Sequence, residues 1–249
     1  MSSFDGIANK FDSNIYGTTK GRIRHELLCF YLNRFLDAAP LNVADLGGGT
    51  GMMSREFAQR NHQVLLTDLS ADVIEIAKER LADYNNVEIR QQSIVESLAD
   101  NCLKTVDLIL CHAVLEWLDS PLSVVSSLIE NARPGSYISI SFFNHDANLF
   151  GNALYGNFDY IDKGLKVKNQ VRLNPKNPLR PQEVLAHIQG NDNATIVHDA
   201  GLRCFHDYMF DRDRVDERYD GILHLEKQLG ATHPYKYLGK YYHCIVRKL

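Results

Sequence analysis

The sequence predicts an α/β protein built on one doubly wound sheet, and three observations carry this prediction. Short apolar runs alternate with amphipathic segments of helical periodicity between residues 41 and 143. The run 106–111 is almost entirely apolar, as expected for a parallel strand covered on both faces. A glycine-rich turn joins the first run to the following helix, as in sheets that bind a ligand at the carboxyl ends of their strands. Together these features predict a Rossmann-like, seven-stranded, mostly parallel sheet with an antiparallel last strand and an insertion after strand five.

The predicted elements follow one another in a regular order. Before the first strand a helix is expected, because apolar residues recur at helical spacing at Ile23, Leu27, Leu28, Tyr31 and Phe35. Strands are predicted at 42–46, 63–67, 87–90, 106–111 and 137–143; the pattern resumes at 203–210 and ends with a strand at 241–247. Helices are predicted at 52–59, after the cap residue Ser70, at 122–131 and near 212–229.

Between residues 144 and 201 this periodicity is lost. Prolines at 175, 178 and 181 interrupt the range, which therefore predicts a substrate-side insertion or lid. The chain of 249 residues is long enough for one large α/β domain with additions. We therefore predict a single domain over 1–249, with an N-terminal helical cap at 1–40 and the lid at 144–201.

The composition excludes several classes of protein. Hydrophobic residues at 45% and charged residues at 23% are ordinary for a globular protein. No apolar run approaches the ~18 residues that span a bilayer, and the N-terminus shows no secretory signal, so we predict no membrane attachment. The five cysteines include no C-x-x-C pair and the histidines show no H-x-x-x-H spacing. We therefore predict no disulfide framework, no metal site and a reducing, cytoplasmic location.

The net charge of −4 conceals a local cationic stretch. Between residues 162 and 180 six cations oppose one acid, Asp162, which gives this segment a net charge of +5. The cations are Lys163, Lys166, Lys168, Arg172, Lys176 and Arg180. Such a stretch is compatible with contacts to nucleic-acid phosphates, and a solvated lysine-rich loop is the alternative.

The most informative motif is the glycine turn Asp45-Leu46-Gly47-Gly48-Gly49-Thr50-Gly51. Glycines let the main chain approach a ligand closely, and Asp68 at the end of the second apolar run suits the two hydroxyls of a ribose. The spacing does not match the dinucleotide pattern G-x-G-x-x-G, and no P-loop lysine follows. The order Asp45-x-Gly47-x-Gly49-x-Gly51 resembles the first motif of class I S-adenosylmethionine-dependent methyltransferases. A glycine turn without a ligand is the alternative.

Three further positions suit such a cofactor. Ser93-Ile94 follows strand three, where one polar and one apolar group flank the adenine in these folds. His112 opens the loop after strand four, and a packing role is its alternative. Arg24 is a candidate partner for the methionine carboxylate, because Arg–carboxylate pairs are strong and geometrically selective. The alternative for Arg24 is a surface position on an amphipathic helix.

Several longer blocks resemble one particular family. They are Phe11 with Asn14-Ile15-Tyr16-Gly17-Thr18-Thr19-Lys20-Gly21, His112-Ala113-Val114-Leu115-Glu116-Trp117, Gly156-Asn157-Phe158-Asp159-Tyr160 and Phe205-His206-Asp207-Tyr208. From Phe4 to Lys248 the chain resembles bacterial tRNA 5-carboxymethoxyuridine methyltransferases. The resemblance implies methyl transfer to the carboxylate of 5-carboxymethoxyuridine at the tRNA wobble position. It also implies cofactor contacts from Arg24, Gly47, Gly48, Asp68, Ser93, Ile94 and His112.

A carboxylate acceptor needs no general base. Its reference pKa is near ~4, so it is already ionised at neutral pH and can attack the sulfonium methyl group in line. The rate enhancement then comes from holding the two groups in near-attack geometry and from excluding water. We therefore predict no catalytic acid or base in this chain.

The substrate side is predicted from residue type and charge. We expect Tyr16, Asn144 or Arg180 to hold the carboxylate. We expect the tRNA anticodon stem-loop to be the partner, with its phosphates on Lys163, Lys166 and Lys168. Phe158 and Tyr160 suit stacking on bases, and core packing is the alternative.

Three other classes of protein stay open on the sequence. A small-molecule methyltransferase acting on a quinone or a carboxylic acid shares all features up to strand five, but the cationic stretch and the longer blocks argue against it. A non-catalytic RNA-binding protein with this fold would not need the glycine motif or Asp68. An NAD-dependent oxidoreductase is disfavoured by the glycine spacing.

Overall fold

One sheet organises the part of the chain that the computed structural model describes, residues 17–165, 175, 177–211 and 214–249. Its strands are β1 (Asn42–Leu46), β2 (Gln63–Asp68), β3 (Val87–Gln91), β4 (Leu108–His112), β5 (Tyr137–Phe143), β6 (Ala194–Leu202) and β7 (Tyr241–Lys248). They lie in the order β3-β2-β1-β4-β5-β7-β6. Strands β1 to β5 pair in parallel, and β7 runs antiparallel to both β5 and β6. The predicted seven-stranded, mostly parallel sheet with an antiparallel last strand is confirmed.

Helices cover both faces of this sheet. Within the described ranges they are α1 (Thr19–Leu36), α2 (Met52–Ala58), α3 (Ala71–Arg80), α4 (Ile94–Ala99), α5 (Pro121–Asn131), α6 (His145–Leu154), α7 (Phe158–Asp162), α8 (Pro181–Gln189) and α9 (Tyr219–Leu229). Leu108 and Leu110 of β4 pack with α1, α2 and α9, whereas Ile109 and Cys111 pack with α4, α5 and α8. Side chains alternate along a strand, so an almost wholly apolar strand serves both layers.

The N-terminal helix forms where the sequence predicts it. Thr18 caps α1, and its side chain accepts a hydrogen bond of 3.3 Å from the Gly21 N–H. The predicted apolar stripe from Ile23 to Phe35 is buried against the sheet. Among the helices of the described residues, none is long and apolar enough to cross a bilayer.

The prediction was wrong about the chain between 181 and 210. The range 203–210 is not a strand; the sixth strand is β6, at the sheet edge, and helix α8 precedes it. The edge strand carries polar residues and a register shift between Ile196 and His198, so its apolar alternation is weak. Helix α8 and all but the last residue of β6 lie inside the range 144–201. The role of this range as a lid stays a prediction, as does the cap over 1–40.

Candidate cofactor-binding site

The glycine turn lies between the carboxyl ends of β1 and β2. The N–H groups of Gly47 and Gly48 donate hydrogen bonds to the Thr67 carbonyl oxygen, at 2.8 and 3.0 Å. The next N–H, of Gly49, donates to Asp68 Oδ2 at 3.1 Å. Three consecutive amides are therefore anchored to the end of β2, and the turn is held in one conformation.

The four glycines are required for different reasons. A Cβ at Gly47 would lie 2.5 Å from Val114 Cγ2, one at Gly48 2.8 Å from Asp45 Oδ2, and one at Gly51 2.8 Å from Leu81 Cδ1. At Gly49, with φ of +59°, a Cβ would meet no described atom within 4 Å. Packing therefore explains three glycines, while Gly49 presents main chain to open space, as a close ligand requires.

Asp45 lies beneath the turn rather than on its ligand-facing side. Its side chain is 2% exposed, and Oδ2 accepts a hydrogen bond of 2.7 Å from Ser54 Oγ. Burial raises the pKa of Asp45 to about 6, and the nearby charge of Asp68 adds to the shift. Asp45 therefore supports the turn under Gly48, and its cofactor contact stays a prediction.

Asp68 is positioned as predicted, at the end of β2. Besides the Gly49 N–H it accepts a hydrogen bond of 3.0 Å from the Ser70 N–H, through Oδ1. In the turn after β3 the Ser93 hydroxyl forms a capping box with Glu96 and Ile94 is buried, and the place of these two residues beside the adenine stays a prediction. The neighbouring Gln92, which the sequence analysis missed, has a buried Oε1 without a hydrogen-bond partner among the described residues.

His112 ends β4 inside a chain of buried polar groups. Its Nε2 lies 2.8 Å from Ser139 Oγ, which lies 2.8 Å from His243 Nε2. Its Nδ1 is buried and has no hydrogen-bond partner within the described ranges. Burial, with the nearby Arg24 and His25, lowers the pKa of His112 to about 3, so the imidazole is neutral. A neutral ring with one free nitrogen can donate to or accept from a ligand.

Arg24 reaches the same strand ends from α1. It is partly buried, and its guanidinium carbon lies 5.0 Å from the ring centroid of Tyr241. Arg24 forms no ion pair with any residue that the structure describes, and its charge influences the pKa of both His112 and Glu116. A half-buried cation that has a hydrogen bond to Tyr241 but no carboxylate partner among the described residues suits an anionic group of a ligand.

Glu116 is a second site residue that the sequence analysis did not single out. It lies in the 3₁₀ turn Leu115–Trp117 after β4 and is 1% exposed. Its Oε2 has no hydrogen-bond partner in the described part of the chain. Burial raises the pKa of Glu116 to about 7, although main-chain hydrogen bonds from Glu116 and Phe143 and the Arg24 charge oppose the shift. The block from His112 to Trp117 contained this signal, since an acid among apolar residues is rarely buried without a reason.

The predicted substrate-side residues have different surroundings. The Asn144 amide donates to the carbonyl oxygens of Tyr237 and Gly239, both at 2.9 Å, and accepts from the N–H groups of Asp146 and Ala147. All its hydrogen-bonding groups are therefore used, which corrects the prediction that Asn144 holds a substrate carboxylate. Two of these bonds cap α6, and the other two connect its start to the segment before β7.

The remaining predicted contacts are exposed or lie outside the described residues. Arg180 is about half exposed and donates a hydrogen bond of 3.1 Å to Asp146. Lys163 is exposed after α7. Tyr16, Lys166 and Lys168 lie outside the described residues. Beside Lys163, the surface of α6 and α7 exposes large apolar side chains, which are Leu149, Phe150, Leu154, Tyr155 and Phe158.

One group of potential metal ligands lies on the described helices α1 and α2. The ligand atoms of His25, Cys29 and Glu56 lie within 4.8 Å of one another. His25 Nε2 is 3.3 Å from Glu56 Oε1, and this hydrogen bond lowers the pKa of Glu56 to about 2. The hydrogen bond between His25 and Glu56 accounts for the proximity of these two groups.

The residues at the strand ends fit an S-adenosylmethionine-like cofactor. Buried polar atoms nearly always have a partner, yet Gln92 Oε1, His112 Nδ1 and Glu116 Oε2 have none among the described residues. They follow β3 and β4, beside the β1 and β2 ends that carry the glycine turn and Asp68. A ligand with a ribose, polar ring atoms and a charged end would supply hydrogen-bond partners for these side chains.

The comparisons first define the class of protein. A family model described as a methyltransferase domain matches residues 44–138, which include the glycine turn, Asp68 and His112. Magnesium protoporphyrin IX methyltransferase from Synechocystis PCC 6803, solved with bound SAH, superposes with a TM-score of 0.63 at 17% identity, over 99% of this chain and 96% of that chain. The fold is that of the S-adenosylmethionine-dependent methyltransferases.

Sequence relatives then give the particular family. The tRNA 5-carboxymethoxyuridine methyltransferase of Escherichia coli (strain K12) is 39% identical over 252 residues, 99% of this chain and 96% of that protein. A ubiquinone biosynthesis O-methyltransferase of Nitrosospira multiformis is 30% identical over 126 residues, about half of each chain. Because the first match covers nearly the whole of both proteins, the chain belongs to the tRNA 5-carboxymethoxyuridine methyltransferase family, as its sequence blocks indicated.

Proposed function

We propose that this protein transfers the methyl group of S-adenosylmethionine to the carboxylate of 5-carboxymethoxyuridine at the wobble position of tRNA, forming the methyl ester. One observation carries the proposal: a tRNA 5-carboxymethoxyuridine methyltransferase is 39% identical over 99% of this chain. The unpaired polar groups at the strand ends support the cofactor part of the proposal. A tRNA substrate also agrees with the predicted cytoplasmic location.

We assign the cofactor contacts from the positions of the side chains. Asp68 takes the ribose hydroxyls, and the main chain at Gly49 passes beneath the cofactor. The turn at Ser93-Ile94 flanks the adenine, with the Gln92 amide as an added polar group. Arg24 binds the carboxylate of the methionine part, and His112 contacts the same part through its Nδ1.

The chemistry required of the protein is binding and orientation. When bound, S-adenosylmethionine supplies an electrophilic methyl group. The acceptor carboxylate is ionised at neutral pH, so no residue has to remove a proton. The neutral His112 beside the strand ends agrees with this mechanism, since burial keeps its pKa too low for a proton carrier at pH 7. The residues here act by alignment and by exclusion of water.

For the tRNA we assign the surface around α6 and α7. We expect Phe158, 63% exposed, to stack on an unpaired base of the anticodon loop. We expect the exposed Lys163, five residues later in the sequence, to contact a phosphate. Lys166 and Lys168 extend the same cationic stretch in the sequence. Tyr16 and Arg180 stay candidates for holding the carboxylate.

Methyl transfer from labelled S-adenosylmethionine to bulk tRNA tests the function. One tRNA sample comes from cells that lack this protein, and a second from cells that also cannot form the carboxymethoxy group. We expect base-labile label on the first sample alone. Label on both samples would move the methylation to another nucleotide. Absence of label on both, with cofactor binding measured, would contradict the proposal and favour a small-molecule acceptor.

A further inference from the structure

Glu116 is a buried acid that the mechanism above does not use. Its Oε2 has no hydrogen-bond partner among the residues that the structure describes, and the residue is 1% exposed. Glu226 is equally buried but fully paired: Oε2 accepts from Cys204 N–H at 2.7 Å, and Oε1 from Phe205 and His206 N–H at 2.9 and 3.0 Å. Glu226 has a structural task, whereas Glu116 has an oxygen left for a ligand.

The position of Glu116 is on the acceptor side of the site. The residues assigned to the nucleoside, Asp68 and Ser93, follow β2 and β3 in one half of the sheet. Glu116 lies close to Phe143, at the end of β5. It also lies close enough to Tyr241, at the start of β7, for its charge to raise the pKa of Tyr241. Phe143 and Tyr241 are register partners in the other half of the sheet. A methyl acceptor must approach from that half, because the cofactor occupies the first.

The surroundings of Glu116 are cationic. Arg24 lies 5.0 Å and Arg203 5.9 Å from the Tyr241 ring centroid, measured from each guanidinium carbon. Asp207 neutralises Arg203, while Arg24 has no ion-pair partner in the described ranges. With the cofactor bound, Arg24 is paired with the methionine carboxylate assigned to it above, so an anionic acceptor at this place needs a neutral hydrogen-bond donor. An acid that faces an anion has to carry a proton, because two carboxylates in contact repel each other.

We propose that Glu116, as a neutral carboxylic acid, donates a hydrogen bond from Oε2 to the carboxylate of the methyl acceptor. This inference rests on the proposed function. The proton stays on Glu116 while the other carboxylate oxygen of the acceptor takes the methyl group, and the electron pair of the broken carbon–sulfur bond stays on the sulfur of the departing S-adenosylhomocysteine. The neutral ester product is a weaker hydrogen-bond acceptor than the anion, so the contact favours substrate over product.

The contact makes binding of the acceptor dependent on pH. The charged or titratable groups around Glu116 are Arg24 from α1, Cys111 from β4 and Tyr241 from β7, with Arg203 behind the Tyr241 ring; His112 follows Cys111 at the end of β4. Burial raises the pKa of the Cys111 thiol and of Tyr241 and lowers that of His112 to about 3, and arginine stays charged. Glu116, with a pKa of about 7, is the group that loses its proton near neutrality.

Steady-state kinetics with 5-carboxymethoxyuridine-containing tRNA, from pH 6 to 9, test the proposal on Glu116→Gln and Glu116→Ala. The glutamine keeps a donor and cannot ionise. We expect kcat/KM of the parent to decline above pH 7, and we expect Glu116→Gln to retain activity without this decline. We expect Glu116→Ala to lower kcat/KM for tRNA roughly ten- to a hundredfold at pH 6, as for a hydrogen bond to a charged group. The Kd for S-adenosylmethionine should change less than twofold in both.

Glu226→Gln is the matched control, a buried glutamate whose two oxygens are both paired with main-chain N–H groups after β6. It should lower the melting temperature and leave the shape of the pH profile unchanged. A tenfold weaker cofactor Kd in Glu116→Gln would overturn the proposal and place the contact on the cofactor ammonium. Parental activity in Glu116→Ala would also overturn it. If Glu116→Ala fails to fold, the pH profile of Glu116→Gln decides. A parent that methylates no tRNA refutes the proposed function instead.

Discussion

The Gly49 N–H and Asp68 Oδ2 are joined by a hydrogen bond of 3.1 Å. This bond connects the glycine turn after β1 to the acid that ends β2, two features nineteen positions apart in the sequence. The Asp68 carboxylate is therefore oriented before a ribose arrives. Since a preoriented group loses little entropy on binding, the pair is well suited to holding a nucleoside.

Replacing Asp68 by asparagine tests this pair. The amide nitrogen cannot accept from either Gly49 or Ser70, so one of the two N–H groups loses its partner. We expect the Kd for S-adenosylmethionine to rise about ten- to a hundredfold by calorimetry. Glu75→Gln, at an exposed acid of α3, is the control and should bind as the parent does. A Kd within twofold of the parent for Asp68→Asn would contradict the assignment.

Gly49→Ala and Gly135→Ala together distinguish the effect of backbone strain from the effect of a side chain that occupies the space of the ligand. Gly49 and Gly135 have positive φ, at +59° and +83°, and a Cβ at either would meet no described atom within 4 Å. Both variants should lose about 1 kcal/mol of unfolding free energy from the left-handed backbone. Gly49→Ala should in addition weaken cofactor binding at least about tenfold, since its Cβ occupies the ligand side. Equal cofactor binding by the two variants would refute the assigned role of Gly49.

Asp45→Asn should change how stability depends on pH. The pKa of Asp45 rises from 3.8 to about 6 in the folded protein because of burial. Between these values the folded state binds more protons than the unfolded chain, so stability falls as pH rises, by about 3 kcal/mol once pH exceeds 6. Asparagine removes this contribution, and urea unfolding from pH 4 to 8 measures it. The free energy of unfolding of the variant should rise relative to that of the parent as pH rises. A difference between the two that does not change with pH would contradict the prediction. The exposed Asp119→Asn is the control.

Asp207→Asn should destabilise the protein strongly. Arg203 is 8% exposed and donates to both Asp207 oxygens, one of them at 2.7 Å. Burial alone would raise the pKa of Asp207, but the Arg203 charge and the His206 and Arg203 hydrogen bonds lower it. Removing the partner leaves a buried charge, which costs about 3–5 kcal/mol of unfolding free energy. Chemical denaturation measures this, with the more exposed Asp211→Asn as control; a loss below about 1 kcal/mol would show that the pair is dispensable.

Charge reversal at Lys163, Lys166 and Lys168 tests the predicted phosphate contacts. The triple glutamate variant should bind tRNA more weakly and with a shallower dependence on salt, because fewer counterions are released. Binding titrations at several salt concentrations give both quantities. Lys104→Glu, before the amino end of β4 and thus at the opposite sheet edge, should bind tRNA as the parent does. Unchanged binding by the triple variant would exclude these contacts.

The parts of the fold that were predictable are those with strong local patterns. The helix from Ile23 to Phe35 was predicted because its apolar residues recur at helical spacing. The strand around Leu108–Cys111 was predicted because its apolar run is unbroken. Strand β6 was missed because an edge strand needs an apolar face on one side only and tolerates polar residues. Its place in the sheet depends on pairing with β7, more than forty residues later in the chain.

For the site residues too, positions set by nearby residues could be predicted, whereas contacts with distant segments could not. Asp68 lies where the motif spacing places it, because a strand end followed by a turn is set by nearby residues. Asn144 was given a ligand role by residue type, although its amide is used by a distant segment at Tyr237 and Gly239. Glu116 was overlooked, since its burial and unpaired oxygen arise from contacts with α1, β5 and β7.

By itself the sequence determined the class of fold, the glycine turn and the family, because periodicity, glycine spacing and long motif blocks are local properties of the chain. Tertiary structure alone decided which polar groups are used internally and which face a ligand. Asp45 is buried and bonded to Ser54 and the Asn144 amide is fully used inside the protein, whereas His112 Nδ1 and Glu116 Oε2 are not paired among the described residues. Hydrogen-bond partners and burial come from residues far apart in sequence, so the folded chain is needed to assign them.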